Sequence, residues 1–295
     1  MKDPSRRLAN ESGFIERGGL SLSYLAVLPD KPRAILIIVH GISEHKGRYL
    51  RLQNDLASEG FANYSYDQRG FGLSGGRRTH VERYRDYLHD LKEVTAFVRQ
   101  RHPDQKVFLI GHSLGGMITA AFCIDFSYAV EGLVLSAPAY DVPLLPWFLE
   151  AFAEALSRII PTCSIRYPSL RGKRSHDPEV DIAWENDPLI QSKATPRFYV
   201  EFRKMNRYLH QYAGKIVTPT LILQGRKDGI VRPEGAQTLF DHLQISQKRL
   251  IWYEGLYHEI FNEIGRERVI SDLVNWLGGS IDGHSEGATV SEPCG

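Results

Sequence analysis

The sequence predicts an α/β protein in which helices flank a mainly parallel, doubly wound sheet. Its 295 residues exceed a typical single domain but suit one large α/β core that carries an insertion. Short apolar runs alternate with amphipathic stretches, as in successive strand and helix units. The later runs are almost continuous in Val, Ile and Leu, which is typical of strands buried on both faces of a parallel sheet.

Seven apolar runs are the predicted strands, of which the earliest could run antiparallel. In chain order they are SLSYLAVL, RAILIIVHG, ANYSYD, KVFLIGHS, EGLVLSAPA, PTLILQGRKD and KRLIWYEG. Amphipathic stretches follow or separate them and are the predicted helices. These are YLRLQNDLASEG, HVERYRDYLHDLKEVTAFVRQRHP, the segment that starts at LGGMITAAF, EGAQTLFDHL and ERVISDLVNWL.

The alternation stops between about Tyr140 and Ile216, where helical patterns continue without a convincing buried strand. We interpret this segment as a helical cap at the carboxyl edge of the sheet, where ligands of open α/β folds bind. The predicted organisation is therefore a core of residues 14–139 and 216–277 with a cap of residues 140–215. Residues 278–295 contain almost no large apolar side chain, so we expect a disordered tail.

Charge and composition exclude several classes of function. Lys plus Arg number 36 and Asp plus Glu 35, so no nucleic acid partner is expected. Cys123, Cys163 and Cys294 have neither CxxC nor Cys/His spacing, so we expect no zinc site, no other metal and no cofactor. The polar first residues lack a signal-peptide core, and no run is long enough to cross a bilayer. We expect a cytoplasmic protein that could touch membranes peripherally.

Two segments fit the Gly-x-Ser-x-Gly pattern of serine hydrolases, GHSLG around Ser113 and GLSGG around Ser74. Ser113 follows a buried strand and precedes an apolar helix, so it lies on a strand-turn-helix unit. Such a turn exposes the hydroxyl and directs the helix N-terminus at developing negative charge. Ser74 lies among glycines and charged residues with no helix beginning there. The context predicts Ser113 as the nucleophile and a structural loop around Ser74.

A serine nucleophile needs a histidine base. His258 lies in EGLYHEIFNE, beyond the last predicted strand and before the last helix, which places it at the carboxyl edge. His40 ends a strand at the same edge, but it precedes the nucleophile and is expected to shape the loop around Gly41. His112 adjoins Ser113 and is expected to point elsewhere on the sharp turn. Position therefore favours His258.

The base in turn needs an acid to orient it. Asp228 follows the predicted strand PTLIL at the same edge and completes the order Ser, acid, His of α/β-hydrolases. Alternatively, Asp228 merely makes an Asx turn with Gly229. The agreement of three placements favours the catalytic interpretation.

The oxyanion formed on attack by Ser113 requires donors that are already in place, commonly two backbone N–H groups. One is expected from Leu114, directly after the nucleophile. The other is expected from Ile42, in the loop after RAILIIV, where Gly41 lets the chain bend.

Six motifs together resemble the monoacylglycerol lipases and lysophospholipase-like serine hydrolases of the α/β-hydrolase superfamily, over about residues 14–277. They are HGISEHKGRY, YDQRGFGLSGG, GHSLGG, ENDPLI, GRKDGIV and YHEIFNE. The resemblance implies the α/β-hydrolase fold and a cofactor-free esterase for monoacylglycerols or related lipid esters, with Ser113, Asp228 and His258 as triad. The chain departs from the family at Ser43, where Gly is commoner, and at Leu114, where Met is common. Both departures line the entrance to the acyl site that the resemblance implies.

Several functions use the same triad, and the sequence does not separate them. A lysophospholipase, a broad carboxylesterase and a thioesterase remain alternatives within the enzyme class. A binding protein that uses the same fold without catalysis is the alternative outside it.

Apolar residues of the segment LLPWFLEAFAEALSRII recur three or four apart and form a stripe. The stripe could line the acyl pocket, dock on a membrane or micelle, or simply pack the cap on the core. As substrate-binding residues we single out Leu145, Phe148, Leu149 and Phe152.

Overall fold

The computed structural model of the protein describes residues 8–127, 129–143, 145–283 and 287–291. Nine strands within these residues form one sheet. They are β1 (Leu8–Arg17), β2 (Leu20–Pro29), β3 (Ala34–Val39), β4 (Phe61–Tyr66), β5 (Val107–His112), β6 (Gly132–Ser136), β9 (Thr220–Gly225), β10 (Lys248–Tyr253) and β11 (Thr289–Ser291). Two shorter strands, β7 (Ile165–Arg166) and β8 (Lys193–Ala194), pair separately. The helices are α1 (Leu50–Ser58), α2 (Arg85–Arg101), α3 (Leu114–Asp125), α4 (Trp147–Ile159), α5 (Pro178–Asn186), α6 (Pro196–Tyr212), α7 (Glu234–His242) and α8 (Glu267–Asp282).

The strand order β1-β2-β4-β3-β5-β6-β9-β10-β11 confirms the predicted α/β fold. The pairs β1–β2 and β2–β4 are antiparallel, and the remaining pairs of the sheet are parallel. The early antiparallel strand was therefore anticipated correctly. Because β3, β5, β6, β9 and β10 run in one direction, the loops after them meet at one edge.

Alternation along β3 divides the core into two layers. Ile35 and Ile37 belong to a buried cluster that includes Ile118 of α3. Leu36, on the opposite face of the strand, belongs to a second cluster that includes Leu273 of α8. All six residues of β3 are buried, because helices cover both faces of the sheet.

The segment between β6 and β9 contains α4, β7, α5, β8 and α6. Helix α6 begins after Thr195, whose hydroxyl oxygen accepts a hydrogen bond from the Phe198 amide. Helix α4 lies on the outside of α6, since Glu150 of α4 contacts Arg203 Nε at 2.9 Å and the Tyr199 hydroxyl at 3.2 Å. The opposite face of α4 is directed away from the rest of the protein.

The two ends of the sheet differ from the sequence-based expectation. β1, with the sequence LANESGFIER, begins before the expected core boundary at residue 14 and pairs with β2 along its whole length. At the other end, α8 continues to Asp282, and Thr289–Ser291 pairs with β10. The prediction of disorder from residue 278 therefore fails for 278–283 and 289–291; residues 284–286 and 292–295 lie outside the described residues. Backbone hydrogen bonds hold these segments, and apolar composition does not register such bonds.

No helix in the described ranges combines the length and the apolar character that a bilayer crossing requires.

Candidate active site

Ser113 occupies a strained turn between β5 and α3. Its backbone φ is 53° and its ψ is −115°, a conformation that non-glycine residues rarely adopt. The flanking glycines leave no room for a side chain. A Cβ on Gly111 would lie 2.3 Å from Thr119 Oγ1, and a Cβ on Gly115 would lie 2.1 Å from the Val39 carbonyl oxygen. The glycines of the motif are thus a packing requirement that lets α3 cross the sheet closely.

The loops after β9 and β10 bring Asp228 and His258 together. His258 Nδ1 lies 2.7 Å from Asp228 Oδ2, and Gln224 Nε2 donates to that oxygen at 3.1 Å. Asp228 Oδ1 accepts from the amides of Ile230 at 2.8 Å and Val231 at 3.0 Å. The aspartate therefore makes the anticipated Asx-type turn and contacts the histidine with its other oxygen. The two interpretations of its role are compatible.

This contact controls the charge state of both groups. Burial opposes ionisation of Asp228, but His258 and the two turn amides outweigh it and lower the carboxyl pKa. Burial also favours neutral His258, yet Asp228, followed by Glu259 and Glu44, outweighs it and raises the imidazole pKa above 6.5. An ionised Asp228 only accepts, so Nδ1 carries a proton and Nε2 of neutral His258 remains free to act as a base.

The sequence predicts that His112 points away from the site, and this prediction is wrong. Its ring lies 4.7 Å from the ring of His258 and lines the same cavity as Ser113. Burial, followed by the neighbouring His258, lowers the His112 pKa to about 4, so this ring stays neutral in the physiological range. His40 behaves as expected, since its Nδ1 lies 2.7 Å from the carbonyl oxygen of the next residue, Gly41.

The expected oxyanion donors lie on either side of Ser113. Leu114 is the first residue of α3, and Ile42 lines the cavity. The loop that carries Ile42 packs directly on Ser113, because a Cβ on Gly41 would lie 3.2 Å from Ser113 Cβ. The Gly41 amide donates to Glu44 Oε2 at 3.0 Å, which fixes the bend of the loop.

A chain of alternating charges, which sequence reasoning missed, connects this loop to the cap. Its members are Glu44, Arg48, Glu259, Arg174 and Asp181. Arg48 Nε lies 3.7 Å from Glu44, and Arg48 Nη2 lies 2.6 Å from Glu259. Arg174 Nε lies 3.8 Å from Glu259, and its Nη1 lies 2.5 Å from Asp181. The Glu259 amide also donates to the Arg174 carbonyl at 2.7 Å. The loop of Ile42, the loop of His258 and the segment between β6 and β9 therefore meet at one buried charge chain.

Neighbouring charges balance the burial of the two glutamates differently. Burial opposes ionisation of Glu44, but His112, Arg48 and the Tyr49 hydroxyl outweigh it and lower its pKa to about 2. Burial dominates at Glu259 and raises its pKa, although Arg48 acts in the opposite direction. Glu44 is thus the fixed negative charge beside the oxyanion loop.

The motifs that carry the resemblance contain part of this arrangement. HGISEHKGRY supplies Glu44 and Arg48, and YHEIFNE supplies Glu259. ENDPLI supplies Asp187, whose Oδ2 lies 2.7 Å from His45 Nε2 of the first motif. The sequence could therefore have suggested that the acidic and basic residues of these motifs form ion pairs near Ser113 and His258. Arg174 and Asp181 gave no comparable signal.

A cavity of about 30 Å³ contains Ser113 and His258. Besides core residues, four side chains of the segment between β6 and β9 line it, namely Tyr167, Leu170, Arg174 and Trp184. The guanidinium of Arg174 stacks on the ring of Trp184 at 4.0 Å from its centroid. The space suits about one water molecule and is far smaller than the roughly 300–1,000 Å³ of a typical ligand pocket. These four side chains narrow the space beside Ser113.

The apolar stripe is not part of this cavity. Leu145, Phe148, Leu149 and Phe152 are exposed and do not line it. They do not pack the cap on the core either. The reason is the position of α4, which contacts α6 through its polar side and turns the stripe outwards.

Ser74 lies in a structural loop, as predicted. Its side chain is fully buried, donates to the Asp67 carbonyl at 2.5 Å and accepts from the Ser23 amide at 2.8 Å. The Asp67 carboxylate in turn binds Lys46 Nζ at 2.7 Å. A Cβ on Gly72 would lie 2.3 Å from this carboxylate, so the glycine pattern here reflects packing around Asp67.

In the described part of the chain, no three His, Cys, Asp or Glu side chains group as a metal ion would require.

The chain is similar to known proteins over most of its length. The family described as serine aminopeptidase, S33, matches residues 30–265. The chain is 29% identical to a monoacylglycerol lipase of Mycolicibacterium smegmatis, over 91% of this chain and 96% of that protein. It is 29% identical to a phospholipase of Bacillus subtilis, YtpA, over 81% and 93%. The crystal structure of a Paleococcus ferrophilus monoacylglycerol lipase superposes with a TM-score of 0.79 at 28% identity, over 93% of this chain and 99% of that one.

Proposed function

Because the chain belongs to the serine aminopeptidase S33 family of α/β-hydrolases, we propose that it hydrolyses monoacylglycerols or similar lipid esters through an acyl-enzyme. At the coarser level, it is a serine ester hydrolase of the lipase and esterase group. The observation that carries the proposal is the strained Ser113, which shares a buried cavity with a histidine held by an aspartate.

In the proposed first half-reaction, Ser113 Oγ attacks the ester carbonyl carbon while His258 Nε2 takes the hydroxyl proton. The resulting oxyanion accepts hydrogen bonds from the amides of Ile42 and Leu114. Collapse of the tetrahedral intermediate breaks the bond to the alcohol oxygen, which receives the proton from His258. An acyl-Ser113 ester remains and the alcohol leaves.

The second half-reaction repeats these steps with water as the nucleophile. His258 deprotonates the water, the oxyanion forms again, and the fatty acid leaves as Ser113 recovers its proton. Asp228 holds the imidazole in the reactive tautomer and stabilises its cationic form in both halves. No cofactor takes part in the proposed cycle.

The proposed substrate class rests on two relatives named for monoacylglycerol and on an apolar cavity wall that includes Leu170 and Ile230. A lysophospholipase is the second candidate, because the Bacillus subtilis relative is named a phospholipase. Broad carboxylesterase and thioesterase activities use the same machinery.

We further propose that residues 140–215 act as a lid. The small volume of the cavity supports this role, since Tyr167, Leu170 and Trp184 line it and leave little room for a lipid ester beside Ser113. A membrane or micelle surface is the proposed source of such a substrate.

The decisive experiment replaces Ser113 by Ala and follows hydrolysis of p-nitrophenyl butyrate. We expect turnover to fall by about 10³-fold or more, as for loss of a serine nucleophile elsewhere. The exposed Ser271, replaced by Ala, is the matched control and should retain full activity. A fluorophosphonate probe should label the parent at Ser113. Absence of labelling would instead favour a binding protein.

Relative kcat/KM values for a monoacylglycerol, lysophosphatidylcholine and an acyl-CoA assign the head group. The proposal expects the monoacylglycerol to be hydrolysed with the highest kcat/KM. A higher value for lysophosphatidylcholine would replace it by the lysophospholipase, with the triad unchanged.

A further inference from the structure

Glu263 is a buried carboxylate that the proposed mechanism does not use. It lies in the loop of residues 254–266 between β10 and α8, which also carries His258 and is called the histidine loop below. Its side chain is fully buried and does not line the cavity of Ser113, so it does not contact an ester bound there. A buried charge requires hydrogen-bonding partners, and the partners of Glu263 show which parts of the chain it connects.

Four groups from two parts of the chain surround the Glu263 carboxylate. Oε1 accepts from the Tyr257 amide at 2.7 Å and lies 3.0 Å from His176 Nδ1. Oε2 accepts from the His176 amide at 2.9 Å and from the Ser175 hydroxyl at 2.9 Å. Burial opposes ionisation of Glu263, but the two amides and the two side chains outweigh it and lower the carboxyl pKa. An ionised carboxylate therefore connects the residue before His258 to residues 175–176.

Arg174 makes a second connection on the other side of His258. The Glu259 amide donates to the Arg174 carbonyl at 2.7 Å, and Arg174 Nε lies 3.8 Å from the Glu259 carboxylate. The ring of His176 also stacks on the ring of Tyr257, with 3.8 Å between their centroids. Three consecutive residues of the segment between β6 and β9 thus hold both chain neighbours of His258. They hold Tyr257 through Glu263 and Glu259 directly.

We propose that Glu263 is a positioning residue for His258, which it aligns by clamping the histidine loop onto residues 174–176. This inference rests on the proposed function, because His258 acts as a base in that reaction. The imidazole reaches the Ser113 hydroxyl only while the backbone on both sides of it is fixed, and a displacement of about 1 Å can lower a rate about 100-fold. The segment between β6 and β9 therefore contributes to the geometry of the proposed triad as well as to the cavity wall.

Glu263→Gln tests the clamp, because no orientation of the new amide satisfies all four groups. An NH₂ group at the Oε1 position faces the Tyr257 amide, and at the Oε2 position it faces the His176 amide. A backbone N–H can only donate, so either orientation loses a hydrogen bond and separates the two parts of the clamp. We expect kcat for p-nitrophenyl butyrate to fall by about 100-fold. KM should change little, because the side chain does not contact the ester.

The pH profile distinguishes a displaced histidine from a loss of folded protein. The charged and titratable groups around His258 are Asp228, Glu44, Glu259, His112, Arg48 and Arg174. Among them, Asp228 is the main group that raises the His258 pKa, against the effect of burial. Movement of the histidine loop weakens this contact, so the acidic limb of the kcat profile should move to lower pH in Glu263→Gln. A smaller folded fraction would lower the rate without moving the limb.

His176→Phe tests the other side of the clamp. Phe retains a ring that can stack on Tyr257, but it lacks the Nδ1 donor to Glu263. This variant should lower kcat less than Glu263→Gln does, again with little change in KM. The double variant should have the kcat of Glu263→Gln within about twofold, because both changes break the same contact. An unchanged kcat in His176→Phe would overturn the proposal.

The matched control is Glu267→Gln, the same substitution at an exposed residue on the first turn of α8. It should retain the kcat and the pH profile of the parent. Circular dichroism verifies that each variant is folded. An equal loss of kcat in the control and in Glu263→Gln would overturn the proposal.

NMR titration of the His258 imidazole tests the clamp without turnover. The signal is assigned by its absence in His258→Gln, and the His258 pKa should lie above 6.5 in the parent and lower in Glu263→Gln. A parent that hydrolyses no ester would overturn the proposed function, while this titration still decides whether Glu263 holds His258 against Asp228. The same His258 pKa in both proteins, or the parent kcat in Glu263→Gln, would overturn the clamp.

Discussion

Replacement of Asp228 by Asn tests the proposed triad most sharply, because the structure determines how the amide must orient. The oxygen at the Oδ1 position accepts from the amides of Ile230 and Val231. The amide oxygen of Asn must therefore stay there, which places the NH₂ group at the Oδ2 position, 2.7 Å from His258 Nδ1. Two donors cannot face each other, so Nδ1 loses its proton and Nε2 gains one. His258 Nε2 then carries a hydrogen and cannot accept the proton of the Ser113 hydroxyl.

The magnitude follows from two effects of Asp228→Asn. The wrong tautomer lowers kcat by about 10⁴-fold, the size found for the equivalent change in a serine protease. Loss of the negative charge also lowers the pKa of His258, because Asp228 is the main group that raises it. In the parent, activity rises with pH as His258 loses its proton, with a midpoint above 6.5, because the pKa is raised. In the variant, burial acts against the cation and the midpoint moves below that of the parent.

The assay is hydrolysis of p-nitrophenyl butyrate between pH 5 and 9, with kcat and kcat/KM fitted at each pH. Asp241→Asn, a change of an exposed aspartate on α7, is the control and should leave both the rate and the midpoint unaltered. A variant at position 228 that retains a tenth of the parent kcat, or keeps the parent midpoint, would refute the assignment.

Three further predictions follow from the packing around the site. Gly115→Ala should lower kcat more than 100-fold and reduce Tm, because the added Cβ would overlap the backbone carbonyl of Val39 in β3. The control Gly255→Ala adds a Cβ in open space and should change neither kcat nor Tm. Glu44→Gln should lower kcat by about tenfold or more with little change in KM, and should shift the acidic limb of the pH profile to lower pH, since this carboxylate raises the pKa of the histidine. Ser74→Ala should lower the free energy of unfolding by about 1–3 kcal/mol in urea titrations relative to Ser271→Ala, while an unchanged stability would contradict its structural role.

The sheet, and the placement of Ser113, Asp228 and His258 at one edge of it, could be predicted from sequence because their signals are local. A buried strand is a short apolar run in the sequence, and the glycines on either side of Ser113 predict the turn. The common location of Ser113, Asp228 and His258 follows from the rule that the carboxyl ends of parallel strands lie at one edge of the sheet. The structure places the contacting pair, Asp228 and His258, at that edge, as expected.

The buried charge chain, the edge strands and the packing of α4 could not be predicted, because they depend on contacts between residues that are distant in sequence. Arg174 and Glu259 lie 85 positions apart, and nothing in either segment specifies the other. β1 and β11 are edge strands that pair through backbone hydrogen bonds, and neither has a continuous apolar run that would mark it as a strand. The stripe on α4 gave a correct helical pattern, but periodicity shows only that one face is apolar. It does not show which neighbour, if any, covers that face.

A cap that acts as the proposed lid also affects the apparent affinity for substrate. If only a fraction of molecules has the cap displaced at any moment, the apparent dissociation constant for a dissolved ester equals the intrinsic constant divided by that fraction. A cap open 1% of the time weakens apparent affinity about 100-fold without any change in the chemistry at Ser113. With the proposed lid, a measured KM would therefore combine the fit of the ester with the opening equilibrium. Substitutions at Trp184 or Leu170 that loosen the closure should lower KM while the rate of the bound complex stays the same.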